Sequence, residues 1–347
     1  MARYNPAMKH IATKSIYVMV LVSALGRSLF AAEDNSIYNE LINQGIPLAN
    51  GKTLTLPEPV MADGLKSDAQ QAVLKQVGPK IKELMQQFQR GRPNDWYEDK
   101  QASEKGAKPE DSIGRRIDLY FVAQGKLETV ASEGFVKKQI KQEKEGDKAG
   151  ETDAGKKNDG AKDANQEEPD AKQPDKKKQA ENGKVEFYTP AELKTRKLAE
   201  KDTNNLKERF AHGVLNLLDK VQVTGSGDAI ETRTPESLII AFKIDRRFDK
   251  DAKYPNQYQL IKAVGPPLAL GDAKLYTGFG AYAKITKLQG SDNKIFVEYH
   301  LVYDEPYEWF KGTTELISKL DTSYKENSSK FRRNILDYEK ASPANPK

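Results

Sequence analysis

The sequence contains no cysteine in its 347 residues. This absence excludes a disulfide framework, a thiolate metal site, a cysteine nucleophile and lipid attachment to a processed N-terminal cysteine. A chain of this length can bury enough apolar surface to fold without disulfides, so the absence is compatible with an oxidising compartment. Hydrophobic residues make up only 37% of the chain and charged residues 31%, which indicates that part of the chain does not form core.

Histidine is also scarce, with three residues in the whole chain: His10, His212 and His300. Only two of them lie beyond residue 31, which is few for the histidine ligand sets of catalytic zinc sites. No nucleophile motif accompanies them. The sequence therefore predicts no metal site and no cofactor.

The first 31 residues have the three parts of a secretory signal peptide. Lys9 and Lys14 form a positively charged region, residues 16–25 form an apolar run, and small residues follow. The run is shorter than the roughly 20 residues that a membrane-spanning helix needs. We expect cleavage after Ala31 or Ala32, secretion or export to the periplasm, and no transmembrane anchor in the mature chain.

The formal net charge of +5 does not argue for nucleic-acid binding. Four basic side chains and no acidic ones lie in the first 31 residues, so the remaining chain has a net charge of only about +1. We therefore expect no nucleic-acid partner.

Residues 141–184 have a composition that cannot form a core. These 44 residues include no Val, Ile, Leu, Met, Phe, Tyr or Trp, whereas eleven are Lys and twelve are Asp or Glu. Such a segment has no apolar surface to bury against the entropy cost of ordering. Because its charges are interleaved, it is typical of a solvated, disordered polyampholyte and not of a nucleic-acid-binding tract.

The part of the chain between the signal peptide and this segment predicts helices and one strand. Ser36 is placed to cap a first helix, and Ser67 to begin a second through a capping box with Gln70. Residues 81–88 show the apolar spacing of a third helix. Residues 116–122 alternate apolar and polar side chains, as a strand does.

The C-terminal half predicts most of a sheet. One strand has an apolar face of Ile295, Val297, Tyr299, Leu301 and Tyr303 at a period of two. Shorter β-rich stretches, bounded by Gly, Pro, Asn or Asp, precede it at a spacing typical of an antiparallel sheet.

Two local features accompany the predicted sheet. Gly225 and Gly227 separate two β-rich stretches and predict a hairpin turn, because a phosphate-binding loop would be followed by a helix instead. Residues 311–320 and 331–338 predict two closing helices.

These elements predict an α+β fold, a mainly antiparallel sheet of about six strands with flanking helices and a C-terminal helix. The order of elements also fits a helix-grip arrangement, in which a sheet and a long helix enclose an apolar cavity. The expected divisions are a signal peptide at 1–31, an N-terminal helical part with one strand of the shared sheet at 32–140, a disordered charged insertion at 141–184, the antiparallel sheet with its C-terminal helix at 185–340, and a tail at 341–347.

Glu298, His300 and Asp304 are the candidate catalytic residues. They lie two and four positions apart on one predicted strand, so their side chains project from one face, where a base or a metal could use them. The alternative is a solvent-facing polar strand face or a histidine in a partly buried hydrogen-bond network. Trp309 and its aromatic neighbours could stack on sugars, although aromatic clusters at strand ends more often pack against the core.

Several short blocks resemble a family of uncharacterised secreted proteins from planctomycete bacteria. The blocks are 61–65 (MADGL), 212–221 (HGVLNLLDKV), 245–249 (DRRFD), 254–256 (YPN), 297–300 (VEYH), 305–306 (EP), 309–310 (WF), 318–320 (SKL) and 331–333 (FRR). The resemblance covers most of the chain outside the signal peptide and the charged segment. It implies export and one shared fold, and it brings no activity and no catalytic residues.

Two hypotheses of function follow. The first is a non-catalytic exported protein of the cell envelope, which binds a small ligand or an envelope partner or has a structural role. The second is a carboxylate-based hydrolase, similar to a glycosidase, with its site near Glu298 and His300. The first is favoured because acidic residues are plentiful in any sequence and nothing else in this one indicates catalysis.

Overall fold

The computed structural model describes residues 35–77, 92–98, 112–132, 134–136, 184–203, 206–263, 268–291, 293–313 and 315–341. The expected signal peptide, the helix predicted at 81–88 and, but for Lys184, the charged segment at 141–184 lie outside these residues.

Eleven antiparallel strands form one sheet in the described part of the chain. They are β3 (Arg92–Glu98), β4 (Ser112–Gln124), β5 (Lys184–Phe187), β6 (Leu206–Leu217), β7 (Val221–Arg233), β8 (Ser237–Ile244), β9 (Gln257–Ala263), β10 (Ala269–Leu270), β11 (Lys274–Leu275), β12 (Phe279–Lys287) and β13 (Lys294–Pro306). A separate pair consists of β1 (Ile46–Pro47) and β2 (Thr53–Leu54). The predicted α+β class is confirmed, but about six strands was too few, because short strands such as β5, β10 and β11 carry no clear apolar alternation.

The strands follow one another as β3, β4, β13, β12, β8, β7, β6 and β5, each paired with the next. The first part of β7 pairs with β9, and β9 pairs with β10 and β11. The strand predicted at 116–122 is the centre of β4 and pairs with β13. The sheet therefore joins chain from both sides of the charged segment.

The helices are α1 (Ser36–Asn43), α2 (Ser67–Gln76), α3 (Leu127–Val130), α4 (Pro190–Thr195), α5 (Tyr307–Phe310) and α6 (Glu315–Ala341), and a 3-10 turn spans Arg246–Phe248. The two closing helices predicted from sequence are one helix, α6. Its apolar stripe of Leu316, Leu320, Tyr324, Phe331 and Ile335 is buried throughout, and no Gly or Pro interrupts it. Among the described residues, no helix combines the length and apolar character that crossing a membrane requires.

Two predicted helix caps are wrong. The N-cap of α1 is Asn35, whose side chain accepts a backbone N–H of the first turn, and not Ser36. At α2 the expected capping box does not form. Gln70 instead donates to the carbonyl of Lys287 at 3.1 Å and accepts the N–H of Gln289 at 2.7 Å. The tertiary contact competes successfully with the local cap.

The hairpin turn predicted at Gly225 and Gly227 is also wrong, because β7 runs through both residues without turning. Neither glycine has a positive φ. A Cβ on Gly227 would lie 2.2 Å from the Phe242 ring and 2.5 Å from the Lys243 carbonyl oxygen. Glycine is needed here for the close approach of the neighbouring strand, at the point where β7 exchanges β9 for β8 as its partner.

The two faces of the sheet are covered by different parts of the chain. The helix face carries Tyr299 and Phe121, which pack against Tyr324 and Phe331 of α6 with ring centroids 6.3 and 5.9 Å apart. The opposite face is covered by residues 35–66, which we call the cover. α1, β1 and β2 belong to the cover, and their apolar side chains share a core with the sheet residues Ile230, Ile239, Ala241, Tyr282 and Val302.

Candidate functional site

Glu298, His300 and Asp304 project from one side of β13, and that side faces the cover. The exposed fractions of the three residues are 0%, 0% and 4%. The polar side of β13 is therefore not a solvent-facing strand face, but a buried surface beneath the N-terminal part of the chain.

His300 lies between two carboxylates. Asp118 occupies the facing position on β4, and its Oδ1 lies 2.7 Å from Nδ1 of His300. On the other side of the ring, Oε2 of Glu298 lies 3.8 Å from Nε2. Arg116 donates from Nε to the second oxygen of Asp118 at 3.2 Å. With His300 protonated, cations and anions alternate across the two strands in the order Arg116, Asp118, His300 and Glu298.

The surroundings of His300 favour its protonated form. Burial alone would lower the pKa of the imidazole, but the hydrogen bond to Asp118 and the nearby Glu298 carboxylate outweigh burial. The pKa of His300 therefore lies above its ordinary value of 6.5. The rings of Tyr282 and Tyr120 enclose the imidazole, with centroids 4.7 and 5.5 Å away.

Glu298 anchors the cover with both oxygens of its carboxylate. Oε2 accepts the backbone N–H of Val60 at 2.7 Å, and Oε1 accepts that of Met61 at 3.0 Å. Charge-assisted bonds of this kind are among the stronger hydrogen bonds in proteins. Glu298 thus satisfies two backbone donors of a loop that no strand pairing satisfies.

The orientation of His300 by Asp118 is one that a general base could use. Asp118 fixes Nδ1, and Nε2 has no hydrogen-bond partner. A general base must also reach a bound substrate, either directly or through one water. His300 is fully buried, and the lone pairs of Glu298 are directed to the cover. In this conformation the group can hold the cover in place but cannot reach a substrate.

Asp304 is not part of this group. Its Oδ2 accepts the backbone N–H of Ala49 at 3.1 Å, near the turn between β1 and β2. Burial raises the pKa of the Asp304 carboxyl above its ordinary value. Asp304 is therefore a second anchor of the cover, separate from the ion-pair network around His300.

His212, the other histidine of the sheet, is remote from His300 because β12, β8 and β7 lie between their strands. Its ring stacks on Tyr254 with centroids 3.5 Å apart and meets the edge of Tyr188. Burial lowers the pKa of His212 to about 4, so the ring is neutral at ordinary pH. Across the described ranges, no group of three His, Asp or Glu side chains has a geometry that could hold a metal ion.

The aromatic residues that could stack on sugars lie in the core. Trp309 and Phe310 are 4% and 3% exposed. The indole of Trp309 packs against Tyr258 and Tyr276, with ring centroids 5.4 and 5.2 Å away. Trp309 therefore presents no open ring face, and the interpretation of these aromatics as the edge of the core fits the structure.

Four buried charged residues on β6 and β7 were missed by sequence reasoning. On one face of the strand pair, Lys207 and Glu231 are directly opposite each other, and Nζ of the lysine and Oε2 of the glutamate have no hydrogen-bond partner. On the other face lie Glu208 and Asp228, and burial raises the pKa of Asp228 to about 7. Charges at strand positions were the available signal, but their burial depends on distant parts of the chain.

Comparison of the sequence with models of known protein families finds no matching family, and comparison with curated proteins finds no match. The function proposed below therefore rests on the residues of this chain.

Proposed function

We propose that the protein is exported and acts as a non-catalytic binding or structural component of the bacterial cell envelope. One observation carries this proposal. The acidic and imidazole groups best placed by sequence for catalysis are buried, and the two carboxyl groups bind the chain's own cover instead of facing a cleft.

A hydrolase built on carboxylates needs an acid and a second carboxylate that flank a bound substrate. Glu298 has both oxygens occupied by backbone N–H groups, and the neighbouring His300 is fully enclosed. The geometry therefore supports a binding or structural role over the hydrolase alternative at this position.

Export is supported by the pattern of residues 1–31. We expect the mature protein from native cells to begin at Ala32 or Glu33, which N-terminal sequencing would establish. Protein that still begins at Met1 and fractionates with the inner membrane would contradict export.

The decisive experiment compares binding with hydrolysis. Mature protein is incubated with isolated envelope fractions and with their polysaccharides, and both co-sedimentation and the release of reducing ends are measured. We expect saturable co-sedimentation and no reducing ends above those of an E298Q variant. Reducing ends released by the wild type and lost in both E298Q and D118N would establish the hydrolase instead.

A further inference from the structure

The second half of the cover is attached to the sheet through side chains and not through strand pairing. The cover loop (residues 57–64) has no backbone–backbone hydrogen bond to the described strands. Tyr282 donates its hydroxyl to the carbonyl of Pro57 at 2.6 Å, and Lys284 pairs with Asp63 at 2.8 Å. Between these two contacts, Glu298 accepts the N–H groups of Val60 and Met61. The attachments through Glu298 and Asp63 depend on the charges of their carboxylates.

His300 is the group beside Glu298 whose charge can change with pH. Its neighbours on β4 are Asp118, with Arg116 on the far oxygen, and Tyr120. From β12 it faces Tyr282, and Lys284 lies opposite Glu298 in the strand register. From α1, Tyr38 packs on the ring of Tyr282.

These neighbours differ in how firmly their charges are fixed. Burial raises the pKa of Tyr38 to about 12 and raises that of Tyr282 well above its ordinary value, so both stay neutral. The Lys284 ammonium is paired with Asp63. His300, when protonated, is therefore the cation that lies between Asp118 and Glu298.

We propose that His300 is a proton-operated latch for the cover loop, which holds residues 57–64 on the sheet while the imidazole is protonated and releases them when it is neutral. This inference goes beyond the proposed function and does not depend on it.

The physical basis is the energy of a buried carboxylate. With His300 protonated, Glu298 has a cation 3.8 Å away that offsets its desolvation. When the proton leaves, two buried carboxylates share one neutral ring. Glu298 can then regain solvation only if water reaches it, and water reaches it when the loop opens. Opening exchanges the two backbone N–H bonds of Glu298 for bonds to water, and this exchange becomes more favourable once the carboxylate has lost its neighbouring cation.

The direction with pH follows from the raised pKa of His300. A base whose pKa is raised in the folded state stabilises that state below the ordinary value and loses this contribution as the pH rises through the folded value. The loop is therefore held closed at low pH and opens more readily as the pH rises through the folded pKa of His300.

Hydrogen exchange measured by mass spectrometry on the mature protein tests this inference. The amides of Val60 and Met61 are compared at about pH 6 and about pH 9, each normalised to the intrinsic exchange rate at that pH. We expect their protection to fall at least roughly tenfold at the higher pH, while amides at the centre of β13 keep theirs. Equal protection of the loop at both pH values would overturn the latch, as would an equal loss in β13.

Variants separate the imidazole from other titrating groups. H300Q is neutral at every pH, so its loop should lack the pH step and be less protected at about pH 6. H212Q, which changes the other buried histidine, should retain the full step. A step that persists in H300Q would overturn the proposal. If H300Q does not fold, E298Q serves instead, because it removes the charge that the imidazolium stabilises and should abolish the step.

Discussion

Asn256 bonds to the backbone of Ser226 at the point where β7 changes its pairing partner from β9 to β8, which we call the fork in the sheet. Its Oδ1 accepts the Ser226 N–H at 2.8 Å, at the residue where β7 leaves β9 and begins to pair with β8. Its Nδ2 donates to the Asp245 carbonyl at 2.8 Å and to Asp249 at 2.9 Å. One buried side chain thus supplies the hydrogen bonds that neither ladder can supply at the fork.

We expect N256A to destabilise the protein by about 2–4 kcal/mol, because it leaves the buried N–H of Ser226 without a partner and removes the bonds to Asp245 and Asp249. Urea unfolding followed by circular dichroism measures the change. N43A is the matched control, since Asn43 is exposed and bonds only within α1, and it should change the free energy of unfolding by less than about 0.5 kcal/mol. A similar cost for the two variants would contradict the role of Asn256.

The fork could not be predicted from sequence, although Gly225 and Gly227 were singled out in the sequence. Gly225 and Gly227 between β-rich stretches are typical of a turn, because a hairpin needs residues that tolerate positive φ. The competing use of glycine, a close approach between strands, depends on which strand lies alongside. That strand is β8, whose Phe242 ring lies against Gly227. Local pattern cannot distinguish the two uses.

The two glycines should therefore respond differently to alanine. In G227A the new methyl group would meet the Phe242 ring and a backbone oxygen, and we expect a loss of about 1–3 kcal/mol from overpacking, or more if the strand must shift. G225A is the control, since the nearest atom to its Cβ is 3.7 Å away, an ordinary contact. Thermal and urea unfolding of both variants give the comparison. Equal losses would show that backbone freedom, and not space, selects glycine at 227.

The candidate site was predictable in part. The alternation along β13 correctly placed Glu298 and His300 on the side opposite Tyr299, because the period of two is a local property. Asp118 was not identified, since its pairing with His300 joins residues 182 positions apart through strand register. The burial of this polar side of β13 could not be predicted either. The cover that buries it comes from the other end of the chain and binds largely through its own backbone amides.

We expect the buried ammonium group of Lys207 to lower the stability of the folded protein. It is 3% exposed, its Nζ has no hydrogen-bond partner, and burial lowers its pKa. At about pH 5, where Glu231 is protonated, we expect K207M to stabilise the protein by about 1 kcal/mol, because methionine keeps the length of the side chain without a polar group to desolvate. K262M, at an exposed position, should have little effect. Destabilisation of K207M by more than about 1 kcal/mol in urea unfolding would show that Nζ has a partner in solution.

Glu231, opposite Lys207, should give the stability of the protein a specific dependence on pH. Burial raises the pKa of its carboxyl from 4.5 to about 7, although Arg233 pairs with it. The folded protein therefore binds this proton more tightly than the unfolded chain, and stability falls as the pH rises from about 4.5 to about 7. The fall due to this group is on the order of 3 kcal/mol.

E231Q should lose this part of the fall, because glutamine does not titrate. The measurement is the free energy of unfolding of both proteins at intervals from about pH 4.5 to about pH 8, and the difference between the two curves isolates the group. Asp228, whose pKa is also about 7, contributes a fall in the same interval that both proteins share. E326Q, at an exposed position of α6, is the control and should reproduce the wild-type curve. Parallel curves for E231Q and wild type would mean that Glu231 is ionised in the folded protein throughout, held by Arg233 and Lys207 against the cost of burial.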